Sequence, residues 1–140
     1  MITAYIDGGS RGNPGPAGYG VRIEDADGAL VEEFHASVGI ATNNVAEYRG
    51  LLAALQWALE HGTGTLRIRS DSELLVKQMR GEYRVKNAGL APLHGEARML
   101  VHRIGRVVFE HVPRTKNRDA DRLANLAMDQ AATNGAAGAR

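Results

Sequence analysis

The chain has 140 residues, 44% of them hydrophobic and 24% charged, with no cysteine and a formal net charge of +1. That length suits one domain with its own core, and the lack of cysteine excludes a disulfide framework and a thiolate zinc site. No stretch has the length or apolarity of a membrane span, and the first residues lack the basic and then apolar pattern of a signal peptide, so a cytoplasmic protein with no membrane partner is the expectation.

Ile2, Ala4 and Ile6 alternate with Thr3, Tyr5 and Asp7, which predicts a strand over 1–8. Residues 8–20 are rich in glycine with two prolines and read as a loop. Strands over 19–25 and 30–38 follow, with Asp27-Gly28 as a hairpin turn between them. Val45, Tyr48, Leu52, Leu55 and Leu59 recur at helical steps, predicting a helix over 44–60 that stops at Gly62. Leu66 and Ile68 lie in a short strand, a helix covers 72–80, and residues 81–89 form a polar, basic loop. A helix over about 91–104, a strand over 107–112 and a helix over about 118–131 complete the order β-β-β-α-β-α-α-β-α. Hairpin strands followed by β-α-β units imply a mixed sheet with helices on its faces. The domain is expected to occupy 1–130. The small, polar stretch 131–140 is expected to be disordered or a linker stub.

Charge is uneven along the chain. Residues 1–66 hold three basic against eight acidic residues, and residues 67–118 hold twelve against five. A basic middle beside an acidic cluster suits a polyanion held near bound metal, although on charge alone a mixed solvated surface is the favoured reading. Asp7, Glu47, Asp71 and Asp121 each fall near an element end. Taken singly, each has a structural explanation. Asn44 and Glu47 have capping-box spacing, as do Ser70 and Glu73, while Asp119 and Asp121 sit in a helix first turn. Taken together, strand carboxyl ends and helix starts are where α/β folds build sites. Gathered carboxylates suit hard divalent cations such as magnesium or manganese.

Four blocks carry a resemblance: Asp7 to Gly20, Thr42 to Tyr48, Ser70-Asp-Ser72, and Asn117 to Asn125. In order and spacing they resemble the motifs of type 1 ribonuclease H, over roughly residues 1–130. The resemblance implies a ribonuclease H-like α/β fold with a five-stranded mixed sheet in the order 3-2-1-4-5. It implies endonucleolytic hydrolysis of the RNA strand of RNA–DNA hybrids by a monomer, leaving 5′-phosphate and 3′-hydroxyl ends. It implies two magnesium ions per site with substrate, with manganese as an alternative, held by Asp7, Glu47, Asp71 and Asp121. Asp7 would bridge the ions, Asp121 would hold the ion that activates water, and Glu47 and Asp71 the ion at the leaving oxygen. Positions matching Asn13, Thr42, Asn43 and Asn44 contact the hybrid. Gly8, Gly9, Ser10, Ser72 and Asn117 join them as candidate substrate contacts. A four-way junction nuclease and a non-catalytic hybrid-binding module are the alternatives; the asparagines before Glu47 argue against the first, and the full set of acids against the second.

The chain departs from the better-known bacterial pattern in three places. A basic helix-and-loop handle is missing, and only Gly81 to Leu90 connects the flanking helices, leaving Arg84 and Lys86 (with Arg80) as partial replacements. Glu73 stands where an amide is common, and a carboxylate cannot donate to the hybrid. The segment His111-Val-Pro-Arg-Thr-Lys-Asn117 replaces a flexible loop with a catalytic histidine, as in an archaeal-like branch. Arg114 is favoured over His111 for the auxiliary role, although an arginine cannot shuttle a proton at neutral pH.

Overall fold

The computed structural model describes the backbone of residues 1–138 and the side chains of residues 1–134. Its strands are β1 (Ile2–Ser10), β2 (Gly15–Glu24), β3 (Leu30–Ala41), β4 (Thr65–Ser70) and β5 (Arg106–His111). Its helices are α1 (Asn43–Glu60), α2 (Glu73–Met79), α3 (Ala91–Ile104) and α4 (Arg118–Gly138), with a 3-10 turn over Arg114–Lys116. The sheet order is β3-β2-β1-β4-β5, as expected. β1 pairs antiparallel with β2 and parallel with β4. β2 pairs antiparallel with β3, and β4 pairs parallel with β5. The carboxyl ends of β1, β4 and β5 therefore open on one edge. Among the described residues no helix is long and apolar enough to cross a membrane.

The apolar faces read from the sequence meet in one core. Tyr48, Leu51, Leu52 and Leu55 of α1 are buried against Ile6 of β1, Leu66 and Ile68 of β4, and Leu75, Leu93 and Leu100. Trp57 belongs to this core, and its indole N–H donates to Glu32 Oε1 at 3.1 Å. A buried indole finds a partner for its N–H in this way.

The glycine-rich segment is a correction. Only residues 11–14 turn, because β1 runs to Ser10 and β2 starts at Gly15. Glycine is unfavourable in strands unless another backbone must approach closely, and here two helices do. A Cβ on Gly8 would lie 2.5 Å from the backbone of Ala46 and Glu47 in α1. On β2, a Cβ at Gly20 would lie 2.4 Å from the Leu123 Cβ, and one at Gly18 2.4 Å from the Ala127 Cβ, both in α4. Asp7 pairs with Gly20, Gly8 with Tyr19 and Gly9 with Gly18. Alternation along the strands then puts α1 and α4 on opposite faces, with Asp7 on the α4 face.

The tail is a second correction. Residues 131–138 continue α4, and Ala131 is buried. Four of those eight residues are alanines, and alanine has the best helix propensity. Residues 139 and 140 of the expected tail lie outside the described residues.

Candidate active site

Helix capping decides first which acids are free. Thr42, not Asn44, caps α1: its Oγ1 accepts from the Val45 N–H at 3.2 Å. Glu47 is thus beyond the capping position and its carboxylate is free to point elsewhere. Ser72 caps α2 by accepting from the Leu75 N–H at 3.2 Å, and Ser70 Oγ accepts from the Ser72 N–H at 3.0 Å. Asp71 has no capping duty between them. In α4, Asp119 pairs with Arg22 at 3.7 Å and Arg122 at 3.6 Å, so it serves the surface network. Among the described residues Asp121 has no such cation.

Asp7, Glu47, Asp71 and Asp121 line one cleft of about 470 Å³, together with Gly8, Gly9, Ser10, Asn43, Asn44 and Arg114. Asp7 is held by the Gly8 N–H, which donates to its Oδ1 at 2.9 Å. Burial, then the Asp71 charge and the Asp121 carboxyl, outweigh that bond and push the Asp7 carboxyl up to about 8. Burial likewise pushes Glu47 up to about 7, with Asp71 adding to the rise; the Ser72 hydroxyl and the Arg114 guanidinium oppose it. A carboxylate cluster partly removed from water resists full ionisation until positive charge joins it.

Hard oxygen donors at these positions fit a divalent cation of the magnesium class. Among the described residues no three carboxylates or imidazoles stand ready around one point. Magnesium is ordinarily held by only one or two carboxylates, with waters and substrate phosphate completing its shell. The donor set and the raised Asp7 and Glu47 carboxyls fit that mode.

The remaining candidates divide. Asn13 and Asn43 tie the β1–β2 turn to the start of α1: the Asn43 N–H donates to Asn13 Oδ1 at 3.0 Å, and the Ser10 N–H to Asn43 Oδ1 at 2.7 Å. Asn13 has φ +30°, a value that asparagine tolerates. Thr42, Asn13 and Ser72 do not line the cleft. Asn117 is a correction as a substrate contact: it is 1% exposed, and its side chain is turned inward. Arg84 and Lys86 line a different groove of about 630 Å³, with Tyr83, His94 and Arg98, rather than the acid cleft. Glu73 pairs with Lys77 at 2.7 Å, which offsets its charge. His111 is exposed with Nε2 3.2 Å from the Asp71 carbonyl oxygen, outside the cleft lining, whereas Arg114 is on the cleft wall.

Three lining residues were not anticipated: Arg11, Asn125 and Met128. Asn125 lies one helical turn beyond Asp121 and donates to its carbonyl at 2.9 Å, so the i, i+4 spacing held the clue. Arg11 reaches the cleft through its pairing with Asp129 and its 3.3 Å bond to Asn125 Oδ1. Those partners are more than a hundred residues away, and no local pattern announces them.

Residues 5–127 match the family model described as reverse transcriptase-like. The bifunctional protein Rv2228c of Mycobacterium tuberculosis is 50% identical over 99% of this chain, and the chain spans 38% of that protein's length. The solved N-terminal RNase H domain of the same protein superposes with a TM-score of 0.92 at 47% identity, covering 96% of this chain and 97% of that one. RNase H1 of the halophilic archaeon Halobacterium salinarum superposes with a TM-score of 0.88 at 42% identity, covering 92% and 98%. LC11-RNase H1, solved in complex with an RNA/DNA hybrid, gives a TM-score of 0.89 at 43% identity, covering 94% and 99%. A sheet of the expected order, four acids in one cleft and these likenesses over nearly the whole chain lead to one statement: the chain belongs to the type 1 ribonuclease H family.

Proposed function

We propose that the chain is a metal-dependent endoribonuclease that hydrolyses the RNA strand of RNA–DNA hybrids. Two divalent cations, magnesium or manganese, serve each site, and the products carry 5′-phosphate and 3′-hydroxyl ends. The observation that carries the proposal is the gathering of Asp7, half-buried, with Glu47, Asp71 and Asp121 in one cleft. Such a site is costly without cations and becomes favourable with them. The complex of LC11-RNase H1 with a hybrid supports the substrate by likeness.

Asp7, Glu47, Asp71 and Asp121 would hold the cations, which when bound activate the attacking water and stabilise charge on the leaving 3′ oxygen. The protein itself supplies orientation. Water adds to phosphorus, the bond from phosphorus to the 3′ oxygen breaks, and that oxygen takes up a proton. Asn43, Asn44 and Gly8–Ser10 line the cleft together with the acids. Their amide donors and acceptors suit a 2′-hydroxyl, the group that marks RNA at a given site. Arg114, also on the cleft lining, offers a fixed positive charge to the phosphate, and it cannot act as a proton carrier.

The test is cleavage of an end-labelled hybrid beside duplex DNA, duplex RNA and a four-way DNA junction, with magnesium, manganese or chelator. The expected result is metal-dependent cutting of the hybrid's RNA strand alone, with products that a 5′-phosphate-dependent exonuclease degrades. Preferential cutting of the junction, or cutting in chelator, refutes the proposal.

A further inference from the structure

Asn117 does not touch the cleft, yet it is bonded to every segment that delivers an acid from the α4 side of the sheet. Its side-chain Nδ2 donates to the Ile6 carbonyl at 2.9 Å, one residue before Asp7. The same nitrogen lies 3.4 Å from Asp71 Oδ2. Its backbone carbonyl accepts from the Asp121 N–H at 3.0 Å, and its own N–H donates to the Arg114 carbonyl at 3.0 Å. One buried residue thus joins the middle of β1, the end of β4, the first turn of α4 and the turn that carries Arg114.

The orientation of the amide is fixed by chemistry. Ile6 O and the Asp71 carboxylate are both acceptors, so the NH₂ end must face them; a flipped amide would set oxygen against oxygen. The Oδ1 end is buried without a protein partner. It faces the neighbourhood of a polar cavity of about 110 Å³ lined by Tyr5, Arg22, Lys116 and Asp119, where water has room to donate. The side chain is not an ordinary helix cap: it gives no acceptor to the α4 N–H groups and spends its donors on β1 and Asp71.

We propose that Asn117 is a positioning residue that sets the separation of Asp7, Asp71 and Asp121 by clamping the Asp71 carboxylate to the β1 backbone. The inference rests on the hybrid-nuclease reading of the cleft. It makes the NH₂ group the working part, not the volume of the side chain. Asn117→Asp keeps the shape, removes the donor and sets a carboxylate against Ile6 O and Asp71. Asn117→Ala removes both shape and donor but adds no repulsion.

The order of damage is therefore Asn117→Asp worse than Asn117→Ala. Groups that orient metal ligands typically cost about 10–100-fold when removed. The expected loss in kcat is about 10-fold for Asn117→Ala and about 100-fold for Asn117→Asp, with KM for the hybrid within about twofold. A substrate-free readout accompanies the kinetics: the magnesium concentration that half-saturates the rise in melting temperature should increase about 10-fold in both variants. Leu100→Ala, in α3, is the control for mere destabilisation and should leave kcat unchanged. A kcat for Asn117→Asp equal to wild type overturns the inference. So does a loss confined to KM, or a loss no larger than that of the control. A wild-type protein that fails to cut the hybrid defeats the functional reading instead, and the magnesium titration still decides whether Asn117 positions the acids.

Discussion

Asp7→Asn should make the metal-free protein more stable while abolishing hybrid cleavage. The carboxyl moves from its ordinary 3.8 to about 8 in the fold. Between those values the folded state keeps a proton that the unfolded chain has released, so stability falls as pH rises from 3.8 towards 8. At about 1.4 kcal/mol per pKa unit, the climb to pH 7 would remove about 4 kcal/mol if Asp7 titrated alone. Asp7 is only half-buried and water reaches the cleft, so about 2 kcal/mol is the expected gain on neutralising it. For a domain of this size that is about 6 °C in melting temperature. Asparagine keeps Oδ1 as the acceptor for the Gly8 N–H, so the local backbone bond survives. The assay is thermal unfolding followed by circular dichroism in chelator from pH 4 to pH 8. The gain should be near zero at pH 4 and grow steadily with pH. Magnesium should raise the melting temperature of the wild type and do so much less for the variant, because only ions bound to the folded state stabilise it. Equal or lower stability of Asp7→Asn at pH 7.5 in chelator refutes the reasoning, as does a gain that does not change with pH.

Arg114→Ala should reduce kcat at saturating hybrid by about 10-fold or more, as for loss of a group that stabilises developing charge, and His111→Ala by less, because Arg114 alone of the two lines the cleft. Steady-state kinetics of the two variants decides it. Arg84→Ala with Lys86→Ala should raise KM severalfold, leave kcat nearly unchanged and flatten the dependence of log affinity on log salt, since the groove they line is separate from the acids; kinetics at two salt concentrations reads this. Gly8→Ala should lower the melting temperature by about 5–10 °C and reduce activity, because a Cβ there meets the α1 backbone at 2.5 Å beside Glu47. Thermal melts together with single-turnover cleavage test both parts.

What the sequence by itself determined is the set of elements and the identity of the acids. Period-2 and period-3.6 patterns marked β1, β4, α1 and α4, because one face of each packs into the core and the pattern records that face. The motif blocks named the four acids that the structure brings into one cleft. Local spacing misled where a residue's role depends on a distant neighbour. The glycines at 8, 18 and 20 look like a loop, and only the approach of α1 and α4 shows that they are strand positions emptied for helices. Asn44 and Glu47 have the spacing of a capping box, and only the entry of the chain from β3 makes Thr42 the cap and frees Glu47. Asn117 sits in a catalytic-looking motif, and only packing turns it inward, onto Ile6 and Asp71, out of reach of a substrate. The raised Asp7 and Glu47 carboxyls belong wholly to the tertiary structure, since desolvation and like-charge repulsion exist only once the strands and helix ends have met.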